Sequence, residues 1–117
     1  MGTSSQVCIK TEDGPLYFYR HYDGPNVVWS VQKALAMQKR WDDPHFLSRI
    51  IFEEMISGYA DKECGFGIGL KQFSGISLLV TVDCKEQQVE LKRDPLNVKI
   101  AFSEFIKEDL KDIIIIT

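Results

Sequence analysis

Two segments near the start of the chain carry the pattern of a β-hairpin. Residues 6–11 alternate apolar and polar side chains, with Val7 and Ile9 on one face, which is typical of a half-buried strand. A Glu-Asp-Gly-Pro turn follows at 12–15, where Asp-Gly supplies the positive φ of a tight turn. Residues 16–21 are rich in aromatic side chains and favour a strand. The pattern therefore predicts an N-terminal hairpin.

Helical spacing of apolar residues predicts two helices after this hairpin. The first begins near Asn26 and runs to about Arg40, with apolar residues three or four positions apart. The second begins at Pro44, because Asp43 is a good N-cap and proline suits the first helical position. It should end between residues 58 and 61. Its broad apolar face predicts a central place in the core.

Glycine alternates with large apolar residues at 65–70, where the sequence is Gly-Phe-Gly-Ile-Gly-Leu. In an extended chain the three glycines share one face, and Phe66, Ile68 and Leu70 share the other. A face without side chains permits the close approach of a helix, another backbone or a ligand. We expect a helix there, because glycine most often serves packing. The spacing matches no glycine-rich nucleotide motif.

The remaining pattern predicts a second hairpin and a final helix. Residues 76–83 form an apolar strand that turns back into an alternating strand at 88–93. Residues 103–112 have helical spacing, and 98–102 fit either a strand or the start of that helix. The run Ile113–Ile116 would aggregate if left in water. We expect it to pair as a strand, either in this sheet or across a dimer.

These elements together predict a single α+β domain over residues 1–117. We expect a mainly antiparallel sheet of two hairpins, with two or three helices packed on one face. The net charge of -3 argues against charge-driven binding of nucleic acid. No apolar stretch reaches the roughly 20 residues that span a membrane, and the start lacks the pattern of a signal peptide. We therefore predict a cytoplasmic protein.

The residues that commonly bind metals are scattered along the chain. Cys8, Cys64 and Cys84 lie far apart, and both histidines are isolated, so the paired spacing of zinc ligands is missing. An odd number of separated cysteines fits reduced, buried thiols better than disulfides. We predict no metal site and no cofactor.

Chemically versatile side chains concentrate at 19–24, where the second predicted strand ends. Histidine is a common acid or base in catalysis, Arg20 can hold a phosphate or carboxylate, and Asp23 could orient the imidazole of His21. Alternation along the strand places His21 and Arg20 on opposite faces, which weakens a clamp made by both.

Two interpretations of this junction follow. In the structural one, which we favour because a single histidine near an aspartate is common, these residues make hydrogen bonds, an ion pair and a turn. In the functional one, the candidate catalytic residues are His21 and Asp23. The candidate ligand-binding residues are then Arg20, His21, Tyr19 and Tyr22.

The run Phe18-Tyr19-Arg20-His21-Tyr22-Asp23-Gly24-Pro25 resembles the YRHxDG signature of small uncharacterised proteins from bacteria and their phages. In that family a hairpin leads into the motif, followed by two helices, a glycine-rich stretch and a strand ending in Val-Asp. The matching pieces here are 65–69 and 80–83, and the resemblance covers roughly residues 16–92. The family often has an aromatic residue and a further Pro-Gly before the helix, where this chain has the shorter Pro25-Asn26. The family has no established activity, so the resemblance implies an order of elements and no function.

Two hypotheses of function remain open. The first is a non-enzymatic binding or regulatory module that acts through protein–protein contact or as a homo-oligomer. It is motivated by the incomplete catalytic constellation, the aromatic strand and the run Ile113–Ile116. The alternative is an enzyme or sensor for a phosphorylated or nucleotide ligand, with His21 as base or donor and Arg20 as the anion holder.

Overall fold

The structure is a computed structural model that describes residues 4–21, 26–59 and 65–110. It confirms the α+β class. No helix in these ranges is long and apolar enough to cross a membrane. The strands are β1 (Ser5–Thr11), β2 (Gly14–Arg20), β3 (Phe66–Gly69), β4 (Leu78–Asp83), β5 (Gln88–Arg93) and β6 (Leu96–Ala101), and the helices are α1 (Asn26–Ala36), α2 (Pro44–Met55) and α3 (Phe102–Phe105).

The six strands form one sheet in the order β3-β2-β1-β4-β5-β6. Both predicted hairpins are present, as the antiparallel pairs β1–β2 and β4–β5. The two hairpins join through β1 and β4, which pair in parallel, so the sheet is mixed, and the prediction of a mainly antiparallel sheet of two hairpins is confirmed only in part. The physical reason is the burial of the most apolar strands: β1 and β4 share the centre, and the segment 70–77 crosses two strands to bring β4 there.

The helices pack on one face of the sheet, as predicted. Helix α2 packs against β1 and places Phe52 on Phe18 of β2, with ring centroids 4.9 Å apart. Helix α1 packs against α2 and β1, and α3 packs against β5 and β6. The layer therefore runs α3, α1, α2 from the β6 edge towards the β3 edge. The largest fully buried side chains of the core between this layer and the sheet include Ile9, Leu35, Leu47, Ile51, Phe102 and Phe105.

Local chemistry explains where the two long helices begin and end. The side chain of Asp43 accepts a hydrogen bond from the Phe46 amide at 3.3 Å, which confirms the predicted cap of α2. Helix α1 ends at Ala36, earlier than the predicted Arg40. Both Gln38 and Arg40 have positive φ, at 54° and 61°, and this conformation interrupts a right-handed helix.

The region that fitted either a strand or a helix is a strand for most of its length. Strand β6 pairs antiparallel with β5, so that Val98 lies opposite Leu91 and Ile100 opposite Val89. Helix α3 is shorter than the predicted 103–112, and its buried Phe102 donates its amide proton to the Gln87 carbonyl at 2.8 Å. The run Ile113–Ile116 lies outside the described residues.

Candidate binding site at the edge strand

The glycines of β3 face away from the helices. Gly67 lies opposite Tyr19 and Gly69 opposite Tyr17, on the face of the sheet without helices. A Cβ atom added at Gly67 or Gly69 would meet no atom of the described residues within 4 Å, so the prediction that a helix packs on this face was wrong. Phe66 of β3 gains burial by packing against the core on the helix side, so the glycine face points to the other side of the sheet. Phe66 also contacts Tyr59, with ring centroids 5.7 Å apart.

One glycine does serve close packing, against a neighbouring strand end. A Cβ atom at Gly65 would lie 2.7 Å from the Cβ of His21. The backbone amide of His21 also donates to the Gly65 carbonyl at 2.8 Å. Gly65 therefore lets β2 and the start of β3 approach each other at the junction.

Strand β3 is an edge strand, and its unpaired side has a defined set of hydrogen-bonding groups. Within the described ranges only β2 pairs with it. Opposed residues in an antiparallel pair alternate between hydrogen-bonded and non-bonded positions. Because Gly65 bonds to His21, Gly67 also belongs to the bonded set. The N–H and C=O groups of Phe66 and Ile68 therefore point away from β2, towards the open edge.

An apolar depression lies between this edge and α2, and we name it the edge groove. It has a volume of about 260 Å³. Ile68 forms its outer side and is 60% exposed. The apolar side chains that line it are Leu16, Phe18, Phe52 and Ile68, and the polar residues are His45, Ser48, Arg49 and Glu53.

The polar residues of the edge groove are largely satisfied among themselves. The hydroxyl of Ser48 donates to the His45 carbonyl at 2.7 Å. Arg49 and Glu53, one turn apart on α2, form an exposed ion pair. The surface left for a partner is therefore mainly apolar, with charged groups at its rim.

The structure places the side chains of Arg20 and His21 apart at the strand-to-helix junction. The Arg20 guanidinium lies 5.0 Å from the centroid of the Phe66 ring, on the helix side of β2. The Tyr19 hydroxyl and the His21 Nδ1 atom are 3.0 Å apart on the opposite side. Arg20 and His21 therefore do not converge, as strand alternation predicts. The other two candidates, Tyr22 and Asp23, lie outside the described residues.

Gln6 has a role that the sequence analysis missed. It is 1% exposed although it lies on the face of β1 without helices. Its Nε2 donates to the Lys71 carbonyl at 3.0 Å, and its Oε1 accepts from the Phe73 amide at 2.9 Å. We name residues 70–77, which connect β3 to β4, the crossing segment. Alternation in β1 marks Gln6 as polar and outward, and no local signal shows that a distant segment covers it.

Two of the three cysteines are buried free thiols, as predicted, and Cys64 lies outside the described residues. Burial raises the pKa of Cys8 above its usual value, partly offset by a hydrogen bond with Tyr17 and by nearby Lys10. Burial also raises the pKa of Cys84 to about 11, with further contributions from nearby aspartates, first Asp83. Both shifts disfavour the thiolate, so neither cysteine is activated as a nucleophile near neutral pH.

A second cavity lies between the β1–β2 turn and the α1–α2 connection. Its volume is about 420 Å³. Acidic residues dominate its lining, but the described part of the chain contains no group of three or more His, Cys, Asp or Glu residues that could hold a metal ion. The lining residues are Glu12, Asp13, Arg40, Asp42, Asp43, Pro44 and His45.

Comparison with known proteins found no relative of this chain. No family model, curated protein or solved structure matches it. The resemblance of residues 18–25 to the YRHxDG proteins stays a prediction.

Proposed function

We propose that this chain is a binding module that takes an extended, apolar segment of another polypeptide as an added strand beside β3. The observation that carries the proposal is the combination of a strand edge that no other described strand pairs with and an adjoining apolar groove. Strand addition draws its affinity from backbone hydrogen bonds and its specificity from pockets for alternate side chains. Both parts are found at β3.

The backbone of β3 supports the first requirement. Phe66 and Ile68 direct their N–H and C=O groups towards the open edge, as the pairing register implies. An added strand can bond to all four of these groups. Natural proteins usually shield such edges with charge, proline or a covering element, whereas β3 has glycine and apolar residues.

The side chains around β3 define the chemistry of the segment. Residues of an added strand opposite Phe66 and Ile68 would point into the edge groove, whose lining is mainly apolar. The intervening residues would lie above Gly67 and Gly69, where no atom of the described chain lies within 4 Å of an added Cβ. Large β-branched side chains therefore fit on both faces of the segment, and such residues favour strands.

The expected affinity is modest. Burying two apolar side chains in the groove contributes about 3–6 kcal/mol, and hydrogen bonds to the four backbone groups of Phe66 and Ile68 add about 2–6 kcal/mol. Part of this gain is lost in ordering the segment and the groove. We expect a dissociation constant between roughly 1 μM and 1 mM for a short peptide.

The test uses a capped peptide, Lys-Lys-Val-Ile-Val-Ile-Lys-Lys, titrated into the isotope-labelled chain. Saturable amide shifts centred on Phe66 and Ile68 are expected. Replacing both peptide isoleucines by proline removes N–H donors and should weaken binding at least tenfold. The Ile68→Lys variant places a charge at the groove and should also weaken it at least tenfold. Met37→Lys, at another exposed apolar residue, is the matched control and should bind normally.

Two results would overturn the proposal. One is the absence of any amide shift in residues 66–69 at peptide concentrations up to about 1 mM. The other is binding that Ile68→Lys and Met37→Lys weaken equally, because the shifts would then not depend on the edge groove.

The alternative function, an enzyme or sensor for a phosphorylated or nucleotide ligand, stays a prediction. It requires one ligand to contact both His21 and Arg20. The hydrogen bond of Tyr19 with His21 and the stacking of Arg20 on Phe66 lie on opposite faces of β2.

A further inference from the structure

We infer that the segment bound at β3 is the run Ile113–Ile116 of a second copy of this chain, so that each copy donates one segment and accepts another. This inference rests on the function proposed above. It identifies the partner as another copy of the chain and predicts head-to-tail self-association.

The composition of the run matches the two faces of the site. Four consecutive isoleucines have no polar face, so as a strand they need apolar surroundings or free space on both sides. The edge groove supplies an apolar surface on one side of β3. The glycine face offers room for the alternate isoleucines, beside Tyr17 and Tyr19. The run is as long as β3, which has four residues.

The position of residues 105–110 indicates which copy supplies the run. Gln32 of α1 donates from Nε2 to the carbonyls of Phe105 and Glu108, at 3.0 and 2.9 Å. Leu110 is buried in the core at 2% exposure. The end of the described chain is therefore held on the α3 side of α1, away from β3.

The distance from there to the edge groove exceeds the reach of the same chain. In the layer order α3, α1, α2, both α1 and α2 stand between Leu110 and the groove. Each helix is about 10 Å wide with its side chains, so the path is roughly 20 Å. The three residue steps from Leu110 to Ile113 span at most about 11 Å. The β3 edge of the same chain is out of reach, and a second copy is the source.

An exchange of this kind has a defined symmetry. The donated run and the accepting edge are different surfaces, so the contact is heterologous. It grows into longer assemblies unless a ring or a reciprocal pair closes it. Association should therefore rise with protein concentration and end when either surface is blocked.

The experiment is a complementation test by sedimentation velocity on the full 117-residue chain. One variant, Ile68→Lys, blocks the accepting edge and keeps the run. The other, Ile114→Lys/Ile116→Lys, blocks the run and keeps the edge. Each alone should sediment as the 13.4 kDa monomer, whereas the wild type should show concentration-dependent association. A mixture of the two variants should form a one-to-one complex of twice the monomer mass, because one intact run meets one intact edge.

Other outcomes overturn the inference. A monomeric wild type, or an Ile114→Lys/Ile116→Lys variant that associates like the wild type, excludes donation of the run. If Ile68→Lys is monomeric while Ile114→Lys/Ile116→Lys still associates, the result would instead indicate symmetric pairing of two β3 edges. The peptide used above distinguishes the proposed function from this inference. If it binds the Ile114→Lys/Ile116→Lys variant while wild-type copies do not associate, the binding module stands and the self-association fails. If neither occurs, both fail.

Discussion

Replacing Gln6 by methionine tests the idea that its buried amide anchors residues 71–73 of the crossing segment on the face of the sheet without helices. Methionine has nearly the same length and volume as glutamine but makes neither of its two hydrogen bonds. The Lys71 carbonyl and the Phe73 amide would both lose their partner. The change therefore removes polar contacts with little effect on packing.

The expected loss can be worked out bond by bond. Each hydrogen bond contributes about 1 kcal/mol net, so removing both costs about 2 kcal/mol. The penalty should not be much larger, because Lys71 and Phe73 are exposed residues whose backbone groups can turn to water. For a domain of this size, a loss of about 2 kcal/mol lowers Tm by roughly 6–12 °C.

Two measurements check this expectation. Urea unfolding followed by tryptophan fluorescence gives the change in the free energy of unfolding. Hydrogen exchange at the Phe73 amide reports the crossing segment directly, and its protection should fall more than that of amides in β4. Gln72→Met changes an exposed glutamine of the same segment and should alter stability by less than about 0.5 kcal/mol. If Gln6→Met leaves both stability and Phe73 protection unchanged, the anchoring role of Gln6 is refuted.

Three further predictions concern the cap, the core and a thiol. Asp43→Ala should cost about 1 kcal/mol of unfolding free energy, because α2 loses its cap; an equal cost in Asp42→Ala would argue against capping. Ile51→Ala, at a fully buried position, should cost about 2–5 kcal/mol in the same unfolding assay, and a loss below about 1 kcal/mol would contradict its place in the core. Cys84 should resist alkylation at pH 8 in the folded protein, as followed by peptide mass spectrometry, since its pKa is raised to about 11; rapid labelling would show that it is accessible. The unperturbed pKa of this thiol is 9.0, so as the pH rises Cys84 loses its proton in the unfolded chain before it does so in the folded chain. Denaturant titrations should therefore show a free energy of unfolding that is constant below about pH 9 and falls between pH 9 and 11.

Features that depend on neighbouring residues could be predicted from the sequence. The β1–β2 turn follows from Asp13-Gly14, and the start of α2 follows from Asp43-Pro44. Both signals act within a few residues, because a cap or a turn is satisfied by groups close in the chain. The opposite directions of Arg20 and His21 follow in the same way from strand alternation.

The candidate site depended on contacts between distant residues. The glycine alternation at 65–70 correctly indicated a bare face, but the helices lie on the other side. Which face is covered depends on where the apolar side chains of β3 gain burial, and that is a property of the whole helix layer. The edge groove likewise forms only where α2 and β3 meet.

The sheet shows most clearly which features follow from local sequence and which depend on the whole fold. The alternating segments and their turns determined two hairpins and the α+β class, because period-two patterns and turn residues act locally. The parallel pairing of β1 with β4 and the covering of Gln6 by the crossing segment were set only by the folded arrangement. These residues are buried by contacts with residues about seventy positions away in the chain. No local sequence pattern predicts which distant segment will make those contacts.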